Sequence, residues 1–401
     1  MLSSESSPAL KVALLTAGRD HPYAFGIATA LMARGLSLDI IGGDDLDLPQ
    51  WRGISHVRFL NLRGDVSEAV SLWKKVSRVL VYYMRLLRYA LTSRADVFHI
   101  LWNNKFETFD RVPLMLYYKF LGKRTVLTVH NVNARERDAN DSWFNRVTLR
   151  IQYKLADHLF VHTNRMKTEL IQQFEVSPHR ISVIPFGINN AVPQTELVPH
   201  EARRRLGISD RERVLLFFGN IAPYKGLEYL IEAFRLVMDH GKEYRLIIAG
   251  RPKNCDEYWG DIRALLERHP YRDHILQRIE FIPDSETEVY FKAADAVVLP
   301  YRHIFQSGVL SLGYSMGLPV IATDVGALRD DILENETGFI CMPSNTEELA
   351  NAITTYFASD LYRCLNERRK NIQEFARRRY SWDVVGGITV SVYRALVKEC
   401  F

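Results

Sequence analysis

The sequence predicts an α/β protein made of two doubly wound domains facing a cleft. Three observations carry that expectation. Short apolar runs recur along the chain, each closed by a glycine, a proline or a polar turn, as in strands covered on both faces of a parallel sheet. Most are followed by a segment with helical apolar spacing, so the chain reads as successive right-handed βαβ units. Finally, 401 residues with 47% hydrophobic content fill two such cores.

In chain order, KVALLTA (11–17), SLDIIGG (37–43), VFHIL (97–101), RTVLTVH (124–130), HLFVHT (158–163) and ISVIPFG (181–187) read as strands of a first sheet. Residues 188–202, INNAVPQTELVPHEA, carry two prolines and no apolar period, and read as a linker. RVLLFFGN (213–220), YRLIIAG (244–250), IEFIP (279–283), AVVLP (296–300) and PVIAT (319–323) then form a second series, with GFICM (338–342) near the sheet edge. After Thr346 helices dominate. No tandem repeat of solenoid type is present.

The N-terminal run MLSSESSPALKVALL has no basic leader, so neither a signal peptide nor a spanning helix is expected. Cys255, Cys341, Cys364 and Cys400 have no paired or metal-like spacing, which suits a reducing, cytoplasmic setting. The formal net charge of +5 is unevenly spread. Between Ser71 and Arg94 the bases Lys74, Lys75, Arg78, Arg85, Arg88 and Arg94 alternate with leucines, valines and aromatics, and no acid interrupts them. One reading is a helix lying on an anionic membrane surface. The plain alternative is a domain helix with its apolar stripe in the core and its bases solvated. MLYYKFLGKR (115–124) repeats the theme. No nucleic-acid signature accompanies these bases.

An anion site is written into the second series. Between AVVLP and PVIAT, SGVLSLGYSM reads as a helix whose start, Gln306, Ser307 and Gly308, offers a side-chain cap and free backbone N–H groups. GNIAPYKG (219–226) follows a strand and opens another helix: Gly219 permits close backbone approach and Lys225 places an ammonium at the turn. One such contact at 4 Å is worth roughly 4 kcal/mol at an effective dielectric near 20, before desolvation. A solvated surface lysine is the alternative. The order of residues is not that of a Walker loop, so an NTPase is not expected. IAGRP (248–252) puts Arg251 just past a further strand end.

Taken together, FFGNIAPYKGLEYLIEAF, IAGRP, AADAVVLPY, GLPVIATDVGAL and ENETGF, in that order, resemble the retaining glycosyltransferases of the group 1 (family 4) type, whose two Rossmann-like domains form the GT-B fold. VIPFGINN (183–190) and TVHN (128–131) are similar to the family's last strand before the linker and its first-domain histidine. The resemblance spans nearly the whole chain. It implies an N-terminal acceptor domain over 1–195, a nucleotide-sugar donor domain over 196–380, and a C-terminal helix over 381–401 returning to the first domain. It also implies transfer of a sugar from a nucleotide diphosphate sugar to a hydroxyl of a glycan or lipid-linked acceptor, with retention and with no cofactor or metal. No DxD or HExxH stands where a metal would be expected.

His130 and Lys225 are the catalytic candidates. The donor side takes in Gly18, Gly219, Asn220, Lys225, Arg251, Pro283, Gln306, Ser307, Gly308 and Val309, and the acceptor side Arg19, His21 and Glu136. His130 matches the family histidine that contacts the donor sugar; a histidine packed in the core, or one that only holds a neighbouring site residue, is the alternative. The paired glutamates usual in the family fall on Ile304 and Leu312, and the usual arginine before KG falls on Asn220 or Ala222. A branch of the family with a QSGV helix start fits better. Phosphate contacts must then carry more of the donor binding, with Arg251 or Arg302 compensating. Two other readings remain open, a catalytically silent homologue acting as a binding or assembly subunit and a GT-B sugar-nucleotide epimerase, although no acid/base carboxylates suit the latter.

Overall fold

The structure, a computed structural model, describes residues 10–17, 21–51, 53–64, 72–104, 106–137, 140–188, 192–241, 243–253 and 255–398. The chain divides into two compact units, Met1–Gly187 with Trp382–Phe401, and Ile188–Ser381.

The first unit is built on seven parallel strands, β1 (Lys11–Leu15), β2 (Ser37–Gly42), β3 (Val57–Asn61), β4 (Val97–Ile100), β5 (Arg124–Val129), β6 (His158–Val161) and β7 (Ile181–Val183). They lie in the order β3-β2-β1-β4-β5-β6-β7. Chain direction across the sheet therefore reverses between β1 and β4, the switch point at which ligands enter doubly wound sheets. The central strands are apolar without alternation because helices cover both faces: every residue of β4 and β6 is buried. β3 is absent from the sequence reading. It is an edge strand whose residues are at best half-buried, and Arg58 and Asn61 break VRFLN before it can form an unbroken apolar run.

The C-terminal helix Trp382–Lys398 belongs to this unit and packs along helix His21–Met32. The sequence fits it closely. A Cβ on Gly26 would lie 1.9 Å from the Trp382 ring and one on Gly187 2.4 Å away, so both positions admit only glycine while the indole stays. Tyr393 reaches the sheet itself, its hydroxyl 2.6 Å from Nδ1 of the buried His99 on β4.

The second unit carries six parallel strands, β8 (Arg213–Phe218), β9 (Tyr244–Ala249), β10 (Ile275–Arg278), β11 (Ala296–Leu299), β12 (Val320–Thr323) and β13 (Gly338–Cys341), in the order β10-β9-β8-β11-β12-β13. The switch point lies between β8 and β11. The strand expected at IEFIP (279–283) is instead the preceding Ile275–Arg278. This too is an edge strand, with two of its four residues exposed, and the more apolar IEFIP that follows is a connection in which Phe281 stands 64% exposed.

The linker expected over 188–202, and with it the boundary at 195/196, needs correction. The second unit starts at Ile188, whose N–H bonds the Tyr380 carbonyl. Val192 and Leu197 enter its hydrophobic core, and both the N–H and hydroxyl of Thr195 donate to the buried Glu288 carboxylate, at 2.7 and 2.8 Å. Two prolines and no periodicity describe a segment laid over a core as well as they describe a tether.

Candidate active site

Three loops at the carboxyl ends of β8, β9 and β11 meet in the second unit. After β8 the chain turns at Gly219 (φ +95°) and runs through a short turn, Pro223–Lys225, to Gly226 (φ +62°), which opens helix Leu227–His240. Close approach demands these glycines. A Cβ on Gly226 would lie 2.1 Å from the Pro300 carbonyl oxygen, and one on Gly250, which ends β9, 1.8 Å from the Gly219 carbonyl oxygen. The backbone stitches the loops: Gly219 N–H to the Ala249 carbonyl at 2.9 Å, Ile221 N–H to the Arg251 carbonyl at 2.8 Å, and Arg302 N–H to the Tyr224 carbonyl at 2.8 Å.

This turn drives Lys225 inward. Only 6% of it is exposed, and among the described residues no carboxylate lies within ion-pair distance of its ammonium. The group sits over the Tyr301 ring, 5.3 Å from the centroid. Burial holds its pKa below the ordinary lysine value. The Tyr301 hydroxyl in turn lies 3.4 Å from Ser307 Oγ, and burial pushes that phenol up to about 12, so it stays protonated. Ser307 is the N-cap of helix Gly308–Ser315 and accepts from the Leu310 N–H at 3.4 Å. The Gln306 side-chain oxygen is buried without a hydrogen-bond partner among the described residues.

Gly219, Lys225 and Val309 converge: a Cβ on Gly219 would lie 3.3 Å from the Lys225 ammonium and 3.6 Å from a Val309 methyl. A glycine beside a buried ammonium and a helix N-terminus is the arrangement an oxyanion of phosphate needs. Asn220 follows on the exposed side of the turn. Arg251 is exposed with its guanidinium over the Phe281 ring at 5.2 Å, and Arg302 reaches Glu228 at 3.8 Å, so both cations are engaged at the rim. Pro283 stands at the N-cap of helix Asp284–Ala293 and accepts from Thr287 Oγ1 at 3.0 Å. Leu312 is buried and Ile304 packs against the core.

In the first unit His130 follows β5. Its ring stacks on Trp102 with centroids 4.3 Å apart and planes 2° from parallel, and the Tyr23 ring meets it edge-on at 4.8 Å. His130 Nδ1 is 3.1 Å from Nε2 of His162, at the end of β6, and His162 Nδ1 is 3.2 Å from the Ile184 carbonyl. Burial first, and then each other's proximity, hold His130 well below the ordinary histidine pKa, and burial takes His162 to about 4, so both rings are neutral near pH 7. His21 begins helix His21–Met32. Gly18 and Arg19 lie outside the described residues, as does the side chain of Glu136, whose backbone belongs to helix Ala134–Arg137. Among the described residues no three His, Cys, Asp or Glu side chains gather as a metal site.

Sequence reasoning missed Tyr301, His162 and Trp102. Tyr301 directly follows the AVVLP strand and Trp102 the VFHIL strand, each beside a switch point, and His162 follows the last strand residue of HLFVHT, so the detectable signal is their place at strand ends.

Solved structures of similar chain trace show the fold. Sucrose-phosphate synthase from Thermosynechococcus elongatus superposes with a TM-score of 0.73 at 19% identity, covering 97% of this chain and 100% of that one. Anabaena HepE, solved in complex with UDP-glucose, does so at 0.74 and 16%, covering 96% and 100%. The fold is GT-B. Residues 22–192 match the model of Glycosyltransferase Family 4 and residues 212–359 that of Glycosyl transferases group 1, and D-inositol 3-phosphate glycosyltransferase from Corynebacterium glutamicum is 25% identical over 98% of this chain and 95% of its own length. This chain belongs to the group 1, family 4 glycosyltransferases.

Proposed function

We propose that the protein moves a sugar from a nucleotide diphosphate sugar to a hydroxyl of a glycan or lipid-linked acceptor, with retention at the anomeric carbon and without a metal. One observation carries the reading: a buried, carboxylate-free lysine beside Gly219, Val309 and the Ser307 cap. When the bond from the anomeric carbon to the diphosphate oxygen breaks and the acceptor oxygen takes its place, charge grows on the leaving diphosphate. Groups aimed at that charge lower the barrier. Lys225 and the N–H groups of Ser307 and Gly308 supply them, with Arg251 and Arg302 at the rim of the second-unit site. With no acid at 304 or 312, donor affinity leans on the phosphates and the backbone.

A panel of UDP-, GDP- and ADP-sugars tests this. Nucleotide release or micromolar binding is expected with one of them. If no donor is bound or hydrolysed, the chain is a silent homologue acting as a binding or assembly subunit; conversion of the free donor without transfer would indicate an epimerase.

The setting we propose is the cytoplasmic face of an anionic membrane. Helix Leu72–Thr92 buries Tyr82, Tyr83, Leu86 and Tyr89, yet leaves Leu80, Met84 and Leu91 exposed beside the exposed Arg85 and Arg88. Leu116 and Phe120 are also bare, the latter 87% exposed. Apolar side chains interleaved with bases suit a headgroup layer, where each base near the surface adds about 1 kcal/mol. Among the described residues no helix is long and apolar enough to cross a membrane. The protein is expected to float with vesicles containing anionic lipid and to lose most of that binding on Arg85→Glu with Arg88→Glu; flotation indifferent to this charge reversal would refute the surface.

A further inference from the structure

The two neutral histidines of the first unit form a directed chain. A carbonyl oxygen only accepts, so the 3.2 Å contact to Ile184 places the His162 proton on Nδ1. His162 Nε2 is then a bare lone pair. The 3.1 Å contact to His130 needs a donor, and only a proton on His130 Nδ1 supplies it. That leaves His130 Nε2 as an acceptor, buried and without a hydrogen-bond partner among the described residues. The Leu101 carbonyl also acts on the ring as a hydrogen-bond acceptor and would suit the opposite tautomer, but it lies outside hydrogen-bond geometry for Nε2, whereas the contacts to His162 and Ile184 are formed. Stacking on Trp102 fixes the plane in which the lone pair points.

We propose that His162 is a positioning residue: it sets the tautomer of His130 so that His130 Nε2 accepts a hydrogen bond from a hydroxyl of the sugar substrate. A buried acceptor with no partner destabilises the free protein, and a sugar hydroxyl removes that penalty on binding. An imidazole in the other tautomer would meet the same hydroxyl as a donor and select a different orientation of it. Among the described residues no other histidine has a buried ring nitrogen without a partner; His99, for one, is satisfied on both nitrogens by Tyr393 and Thr128. The identity of the ligand as a sugar rests on the transferase reading; the proton positions do not.

Nitrogen-15 NMR of the histidine rings in the full-length chain tests it directly, with resonances assigned against His130→Gln and His162→Gln. Protonated Nδ1 and bare Nε2 are expected for both rings at pH 7.5. A proton on His130 Nε2, directed at Leu101, overturns the proposal. With the donor found active in the panel, His162→Phe is expected to lower kcat on the order of tenfold, as loss of an orienting partner commonly does. His162→Gln keeps an acceptor for His130 Nδ1 and is expected to recover most of that loss. Unchanged kcat in a folded His162→Phe protein also overturns it. Should His162→Phe not fold, the wild-type ring spectrum and the His162→Gln rate decide. A chain inactive on every donor but with the expected ring protonation removes the transferase reading and overturns the sugar contact with it, and keeps only the setting of the His130 tautomer by His162.

Discussion

Lys225→Met is expected to stabilise the second unit while turnover falls on the order of 10²–10³-fold, the usual cost of removing one donor aimed at a developing oxyanion. The two effects have one cause. Folding takes the Lys225 ammonium out of water and offers it an aromatic face but no carboxylate. Desolvating an unpaired charge costs free energy, and methionine has nearly the same volume and none of that cost. A gain of about 1 kcal/mol would raise the melting midpoint of a domain of this size by about 2–4 °C. The pH dependence has a definite sign. Burial lowers the folded-state pKa below the ordinary 10.5, so between the two values the unfolded chain holds a proton that the folded chain has released. Stability therefore rises with pH across that window, and the penalty is complete below it. Lys225→Met is expected to abolish this alkaline rise. Donor binding runs the opposite way: a diphosphate favours the charged lysine, so affinity weakens as pH rises through the lowered pKa, and binding takes up protons when calorimetry is repeated in buffers of different ionisation enthalpy. A variant that loses stability together with turnover would make Lys225 a structural residue.

Gly250→Ala is expected to destabilise the second unit by about 3 kcal/mol or more and to remove donor binding with it. The position combines a backbone φ of +150° with a carbonyl oxygen 1.8 Å from where the new methyl must go. Strain of the first kind costs about 1–3 kcal/mol, and overpacking a further 1–3. The obstructing oxygen belongs to Gly219, so relief of the clash moves the residue that lies against the Lys225 ammonium. Gly241→Ala is the control. Its φ of 178° is ordinary extended backbone and nothing lies within 4 Å of the added methyl, so denaturant unfolding should find it close to wild type. Equal effects at both positions would show that loss of glycine entropy, and not the crossing of the two loops, governs Gly250.

What was legible in the sequence follows from burial. Strands covered on both faces declare themselves as unbroken apolar runs, and β1, β8, β11 and β12 could be read directly. Edge strands have only one neighbour and a half-wet face, which is why β3 was passed over and β10 displaced onto the apolar segment that follows it. The phosphate-binding candidates were legible because glycine and a lysine at a strand end have few other reasons to coincide. Lysine burial was not: exposure depends on how the Gly226 turn docks under Pro300, a contact far apart in sequence. His162 was hidden for a similar reason. Directly after a wholly buried strand it reads as one more core residue, and its meaning comes from His130, placed beside it by the pairing of β5 with β6.

The Trp382 indole seated on Gly26 and Gly187 makes the first unit a discontinuous object in time as well as in sequence. On the ribosome, β1 to β7 emerge well before the helix that completes their core. At 5–20 residues per second the intervening unit takes roughly 10–40 s to synthesise. Through that interval the bare glycine seat and His99 lack their cover, whereas the second unit is contiguous from Ile188 to Ser381 and needs no later segment to complete it. The part of the chain made first is finished last.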